Sequence, residues 1–279
     1  MYFTPFHKNS SILQLSAFVM LFIMVGCSSK FRKIQKNEDW RVKFEAGLTY
    51  YDKKDYYRAA LLFEDIRPIV RGLPEGEEVE FYLAYCQYNE QTFLIAAESF
   101  KSFFEIYGRS SRAEEAHYMY AYSLYAGSPP SSLDQQSSVE AMDAMQIFIN
   151  RYPSSEFAVK AIDVINTCQE RLEVKGFENA RQYLKVRNYK AAVLALKNFT
   201  NDFPDSRFLE EAFYLRINAQ HLLAEKSLPS LQEERYKAVI EMYLEYIDDY
   251  PQSKFLRDAE RLYADSQEKL NQLKKNKPV

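Results

Sequence analysis

The chain has 279 residues, 47% of them hydrophobic, with 36 Lys+Arg against 39 Asp+Glu for a formal net charge of −3. That length allows one or two domains, and the near-neutral charge excludes a whole-chain electrostatic footprint for nucleic acid. Only 7 glycines and few alternating β-branched runs argue for an all-α chain, with 22 Tyr and 20 Phe available to fill its core.

Residues 1–26 stand apart. His7 and Lys8 precede an apolar run at 12–25, broken by Gln14 and Ser16, which is the layout of a secretory signal. The run is shorter than the ~20 apolar residues of a transmembrane helix. It ends in Met24-Val25-Gly26-Cys27. This resembles the lipobox of bacterial lipoproteins, with Met24 where leucine is usual. The resemblance implies cleavage before Cys27, which then carries a thioether-linked diacylglycerol and an acylated amino group. Several acyl chains, at ~0.8 kcal/mol per buried methylene, anchor a protein stably. Ser28 in place of aspartate implies, by the same resemblance, sorting to the outer membrane. Residues 27–38 are then expected to be a lipidated polar tether.

Beyond the tether a six-residue phrase recurs. It reads Tyr152-Pro153-Ser154-Ser155-Glu156-Phe157, then Phe203-Pro204-Asp205-Ser206-Arg207-Phe208, then Tyr250-Pro251-Gln252-Ser253-Lys254-Phe255, with prolines 51 and 47 residues apart. A degraded copy begins at Tyr107, with Gly108 in the proline place. Proline stops a helix and the serine can cap the next one, so each phrase predicts a joint between helices. Ser111 with Glu114, and Ser137 with Glu140, read as capping boxes. Upstream of each joint lies a second pattern: Tyr56/Ala59/Phe63, Phe93/Ala96/Phe100, Ser138/Ala141/Met145, Tyr189/Ala192/Leu196 and Tyr236/Val239/Tyr243. Spacings of three and four put these residues on one helical face, with a small residue where a neighbour packs closely.

The units this defines resemble tetratricopeptide repeats, although the tryptophan of that consensus is missing. The fourth matches best, through Ala180, Tyr183, Tyr189, Ala192, Phe199 and Pro204. The expected fold is an all-α tetratricopeptide-repeat solenoid of about five helix pairs plus a C-terminal capping helix. Units 1–3 occupy 39–153. Residues 154–279 hold a long linking helix over 157–187, units 4 and 5, and the cap. Loops are expected at 127–138 and 228–234. Gly176 is the one breaker in the long helix and a candidate kink. A solenoid offers a long surface to partners.

Chemistry is hard to assemble from these residues. There is no glycine-rich phosphate loop. His117 and His221 have no cysteine or histidine at ligand spacing, so no metal site is expected. Cys86 and Cys168 read as buried packing residues. Glu114-Glu115 and Glu210-Glu211 each open a helix, where they favour its dipole, and adjacent residues do not face each other. The basic tail at 269–277 suits a helix C-terminus. No catalytic residue and no cofactor is expected.

One further repetition concerns aromatic residues. Phe81/Tyr85/Tyr88 and Tyr118/Tyr122/Tyr125 share an i, i+4, i+7 register, matched in the first unit by Phe44/Leu48/Tyr51. The fifth unit has Tyr214/Asn218/His221 instead. Gly47, Ala84 and Ala121 are the inward positions of the same register. The stripe is either a groove for an extended or terminal peptide, or filling for the core between repeats.

The lipobox, five tetratricopeptide-like units, Tyr-Pro-x-Ser joints and a loop in the third unit together resemble the BamD family, lipoproteins of the machinery that assembles outer-membrane β-barrels. That resemblance implies a non-enzymatic scaffold, lipid-anchored at Cys27 on the periplasmic face of the outer membrane. Its C-terminal repeats would dock on the barrel-forming subunit BamA. Its N-terminal repeats would receive the C-terminal signal of unfolded outer-membrane proteins, which usually ends in an aromatic. Another periplasmic tetratricopeptide adaptor, or a glycan-binding lipoprotein of the SusD type, is the alternative.

Overall fold

The structure, a computed structural model, describes residues 30–275, so the signal segment and Cys27 lie outside the described residues. Residues 30–35 are helical, and no strand occurs among the described residues. Eleven further helices follow: α1 (Trp40–Asp52), α2 (Tyr56–Val70), α3 (Pro74–Asn89), α4 (Phe93–Ile106), α5 (Ala113–Ala126), α6 (Gln136–Arg151), α7 (Ala158–Lys185), α8 (Tyr189–Asp202), α9 (Leu209–Glu225), α10 (Pro229–Asp249) and α11 (Leu256–Lys275). They pair in chain order as α1/α2, α3/α4, α5/α6, α7/α8 and α9/α10, and α11 packs on both α9 and α10. The chain is thus an all-α solenoid of the tetratricopeptide type. The described residues form two compact units, one up to 128 with 136–166 and the other 129–135 with 167 onward.

The small residue in the second helix of each pair explains the close packing. Ala59, Ala96, Ala141, Ala192 and Val239 are all fully buried, as are Phe63, Phe100, Met145 and Leu196 four residues on. Gly47, Ala84 and Ala121 are buried against them. A Cβ built on Gly47 would stand 2.6 Å from Cε1 of Phe63, so only glycine fits there.

The three proline joints have one geometry. Each serine N–H donates to the carbonyl of the leading aromatic (Ser155 to Tyr152 at 3.1 Å, Ser206 to Phe203 at 3.2 Å, Ser253 to Tyr250 at 3.1 Å). Each serine Oγ then accepts from the N–H two residues on, at Phe157, Phe208 and Phe255. The degraded copy folds the same way through Ser110, whose Oγ accepts from the Arg112 N–H at 3.0 Å. The expected cap at Ser111 is thereby corrected: the joint measures position from Tyr107, and Ser110 holds the serine place.

A second turn recurs inside pairs. Lys54, Gln91 and Arg187 all adopt left-handed backbone, with φ of 60°, 60° and 58°. The next N–H reaches back five residues each time, as from Asp55 to Tyr50 at 2.9 Å and from Asn188 to Tyr183 at 2.9 Å. This is a Schellman closure without its usual glycine. Asp55 and Asn188 then cap α2 and α8 with their side chains.

Several expected boundaries move. Helix α6 starts at Gln136, so Ser137 lies inside its first turn rather than capping it. The residues expected to loop at 228–234 are helical from Pro229, because proline at the first helical position has its φ already set and its missing N–H is not needed. Helix α7 runs unbroken through Gly176; a Cβ there would lie 3.1 Å from Phe203, so this glycine serves close packing. Cys86 and Cys168 are both buried, and burial pushes the Cys86 thiol up to about 12.

Candidate functional site

The structure sorts the nine stripe residues by their place in the register. The first-position residues Phe44, Phe81 and Tyr118 are buried. Leu48, Tyr51, Tyr85, Tyr88, Tyr122 and Tyr125 are half-buried.

A repeated latch covers two of the three, Phe81 and Tyr118, while Phe44 is buried in the core of the first two repeats. Phe157, which ends its joint, stacks face to face on Tyr118 with centroids 4.8 Å apart and planes 16° apart. Phe208 lies likewise on Phe177 (4.7 Å, 11°) and Phe255 on Tyr214 (4.9 Å, 2°). The last residue of each phrase therefore fastens a joint to the first-position aromatic of the preceding first helix. In the degraded copy Arg112 takes that role, its guanidinium 5.1 Å from the Phe81 ring centroid while it donates to Glu78 at 3.0 Å. Cations cover outer faces too: Arg207 lies over Phe208 and Lys254 over Phe255. Aromatic pairs of this kind contribute about 0.5–1.5 kcal/mol beyond the area they bury.

The joint serines also reach back. Ser110 Oγ donates to Glu77 at 2.6 Å, and Ser253 Oγ donates to Glu210 at 2.5 Å. Glu210 also accepts from the Lys254 N–H at 3.2 Å. These carboxylates staple successive repeats, besides sitting in first turns where a helix dipole favours them.

The half-buried residues form a surface on α3 and α5. Tyr88 stands 6.1 Å from Tyr122 and 5.5 Å from Phe93. Tyr122 stacks on Tyr118 at 5.5 Å and lies 5.6 Å from Tyr125. Tyr85 meets Phe81 and Phe100 edge-on, each at 5.0 Å, and its hydroxyl donates to Glu115. On α1, Tyr51 packs on Tyr82 at 4.8 Å and Tyr56 at 5.5 Å. Burial first, then Cys86 and neighbouring hydroxyls at Tyr51 and Glu115 at Tyr85, raise these two phenols well above the ordinary range. Burial likewise raises Tyr88, and lifts Tyr118 to about 12. These four hydroxyls keep their protons near neutral pH. The surface presents uncharged aromatic rings suited to apolar side chains, with the Tyr85 hydroxyl already donating to Glu115.

The C-terminal unit treats the same positions differently. Tyr214 is a latch residue. His221, two turns on, contacts Asp265 of α11 through Nε2 at 2.7 Å. His117 is buried in the N-terminal unit, stacked on Phe104 at 4.2 Å, and burial with Arg151 nearby lowers its pKa to about 4. It is a neutral packing residue. No His/Cys/Asp/Glu group able to hold a metal ion occurs among the described residues, and none of their helices is long and apolar enough to cross a membrane.

Sequence reasoning missed Glu115, Tyr82 and Arg112. The first accepts from Tyr85; the second bridges Tyr51 and Phe63; the third stands over Phe81 and Tyr82. A signal existed for the latch: Phe81 to Arg112 and Phe177 to Phe208 are both 31 residues apart.

The family model described as "YfiO: Outer membrane lipoprotein" matches residues 37–237. Two similar proteins are outer membrane protein assembly factors BamD. The one from Rickettsia prowazekii is 23% identical over 215 residues, covering 75% of this chain and 84% of the relative. The one from Caulobacter vibrioides is 21% identical over 211 residues, covering 74% and 68%.

Proposed function

This chain belongs to the YfiO outer membrane lipoprotein family, and we propose that it is a non-enzymatic scaffold for assembly of outer-membrane β-barrels, anchored through acylated Cys27 on the periplasmic face. The N-terminal repeats receive the C-terminal segment of unfolded barrel proteins. The C-terminal repeats dock a BamA-like barrel subunit. The family match, reinforced by two relatives that are assembly factors, is the observation that carries this reading.

The structure supports a particular receiving surface. Phe44, Phe81 and Tyr118 hold repeats together from within. Tyr85, Tyr88, Tyr122 and Tyr125, with Leu48 and Tyr51, are the members left partly open. An aromatic C-terminal side chain would pack among these rings, with Tyr85 held in place by its hydrogen bond to Glu115. Tyrosine supplies such area at low entropy cost, since it has only two side-chain torsions.

The test is a pull-down from outer membranes in mild detergent, using a C-terminal tag, with partners identified by mass spectrometry. A BamA-like barrel recovered in stoichiometric amount is the expected result. A cell-division or glycan-uptake partner in its place would overturn the function and leave the fold intact.

A further inference from the structure

The stretch immediately after the expected lipid attachment site is more than a polar spacer. Residues 30–36 read Lys-Phe-Arg-Lys-Ile-Gln-Lys, four cations without an acid. Lys30, Arg32, Lys33 and Lys36 are exposed, whereas Phe31 and Ile34 are half-buried. The apolar pair fastens the segment to the first repeat. Phe31 meets Tyr50 of α1 edge-on at 5.6 Å, and the Arg58 guanidinium covers the Phe31 ring at 5.6 Å. Ile34 lines a cavity of about 500 Å³ together with Lys30, Tyr50, Lys53, Asp55 and Arg58, the last two paired with each other at 2.7 Å. Lys53 of the first repeat thus extends the cationic surface begun by Lys30. None of Lys30, Arg32, Lys33, Lys36 or Lys53 enters an ion pair among the described residues.

We propose that this surface docks on the phosphate headgroups of anionic phospholipids in the leaflet that holds the Cys27 acyl chains. The inference rests on the reading of Cys27 as the lipid attachment site. Two residues, Ser28 and Ser29, separate Cys27 from Lys30, and the three residue steps reach at most ~10 Å. That is about one Debye length at 0.1 M salt, so Lys30 lies within the field of a charged bilayer and the other cations continue the segment from it. An intrinsically flexible linker would let the repeats tumble about their anchor. A helical segment fastened by Phe31 and Ile34 transmits the headgroup contact to the first repeat and so sets its orientation. Each cation close to an anionic surface shifts the ratio of docked to undocked molecules about fivefold.

The chain carries its own reporter, since Trp40 is its one tryptophan and opens α1 just beyond the basic segment. The full lipidated protein is reconstituted into vesicles of phosphatidylcholine alone, or of phosphatidylcholine with phosphatidylglycerol, each doped with a dansyl-headgroup lipid. Energy transfer from Trp40 to dansyl is then measured. Higher transfer on the anionic vesicles is expected, with the excess removed by high salt and by the combined variant K30E/R32E/K33E/K36E. Equal transfer on both compositions, or an excess that survives the charge reversal, would overturn the proposal. A second variant, K53E alone, keeps the segment intact and is expected to reduce the excess; circular dichroism checks that both variants fold. Mass spectrometry of the N-terminus reports on the lipid separately. If Cys27 carries no acyl chain, sedimentation of the unlipidated chain with anionic but not neutral vesicles still supports the headgroup surface, and its absence overturns it.

Discussion

Helices α3 and α5 of the N-terminal unit and α9 of the C-terminal unit begin alike and then diverge. Phe81, Tyr118 and Tyr214 hold one register position, and each is covered by the last residue of the following joint. One turn later Tyr85 and Tyr122 stand against Asn218; two turns later Tyr88 and Tyr125 stand against His221. In α9 that final place is taken up by contact with Asp265 of α11. In α3 and α5 the rings pack on one another and remain half-open. The first position is architecture in both units, and the later positions are where the units differ in what they leave half-open.

The largest expected effect tests the shared part. Tyr118→Ala and Phe177→Ala each remove a stacked latch ring from a buried site, and each should cost about 3–5 kcal/mol in denaturant unfolding. A large loss in one unit with none in the other would break the equivalence. Gly47→Val asks whether close packing is equally strict where no proline joint precedes it. Its side chain would meet Phe63, and a loss of about 1–3 kcal/mol is expected on overpacking grounds.

A pH series separates the units by a different property. The pKa of His117 is held at about 4 against an ordinary 6.5, so between those values the unfolded chain binds a proton that the folded chain refuses. Stability of the N-terminal unit should therefore fall as pH drops from 6.5 toward 4. His117→Phe should flatten that fall in thermal melts; an unchanged pH profile would remove His117 from the account. The smallest effect concerns the recurring left-handed turn. Gln91→Gly should raise stability by a few tenths of a kcal/mol, because glycine relieves the left-handed strain but loses more entropy on folding.

How far these features are legible in the sequence follows from their physics. The repeat register is legible because small and large residues must alternate at helical spacing wherever helices pack, as at Ala59/Phe63 and Ala192/Leu196. The joints are legible because proline and serine act locally. The left-handed turns are not, since Lys54, Gln91 and Arg187 occupy places where glycine would have announced them. The start of α10 was hidden because Pro229 reads equally as a loop residue and as a first helical residue. Within the stripe, periodicity placed nine residues on one face but could not say which were covered. That depends on Phe157 and Arg112, which arrive from 39 and 31 residues downstream of Tyr118 and Phe81. In the sequence Glu115 shows only as a first-turn acid because its partner, Tyr85, lies in the preceding repeat.

The most direct test of the account is the affinity of the chain for a fluorescent peptide copying the aromatic C-terminus of an unfolded barrel protein, measured by anisotropy. Wild type and Asn218→Ala should bind alike, while Tyr88→Ala/Tyr122→Ala should bind about tenfold or more weakly, a loss of ~1.4 kcal/mol or more, with its melting temperature close to wild type. Unchanged affinity in the double tyrosine variant, or equal loss in Asn218→Ala, would contradict a receiving surface on α3 and α5.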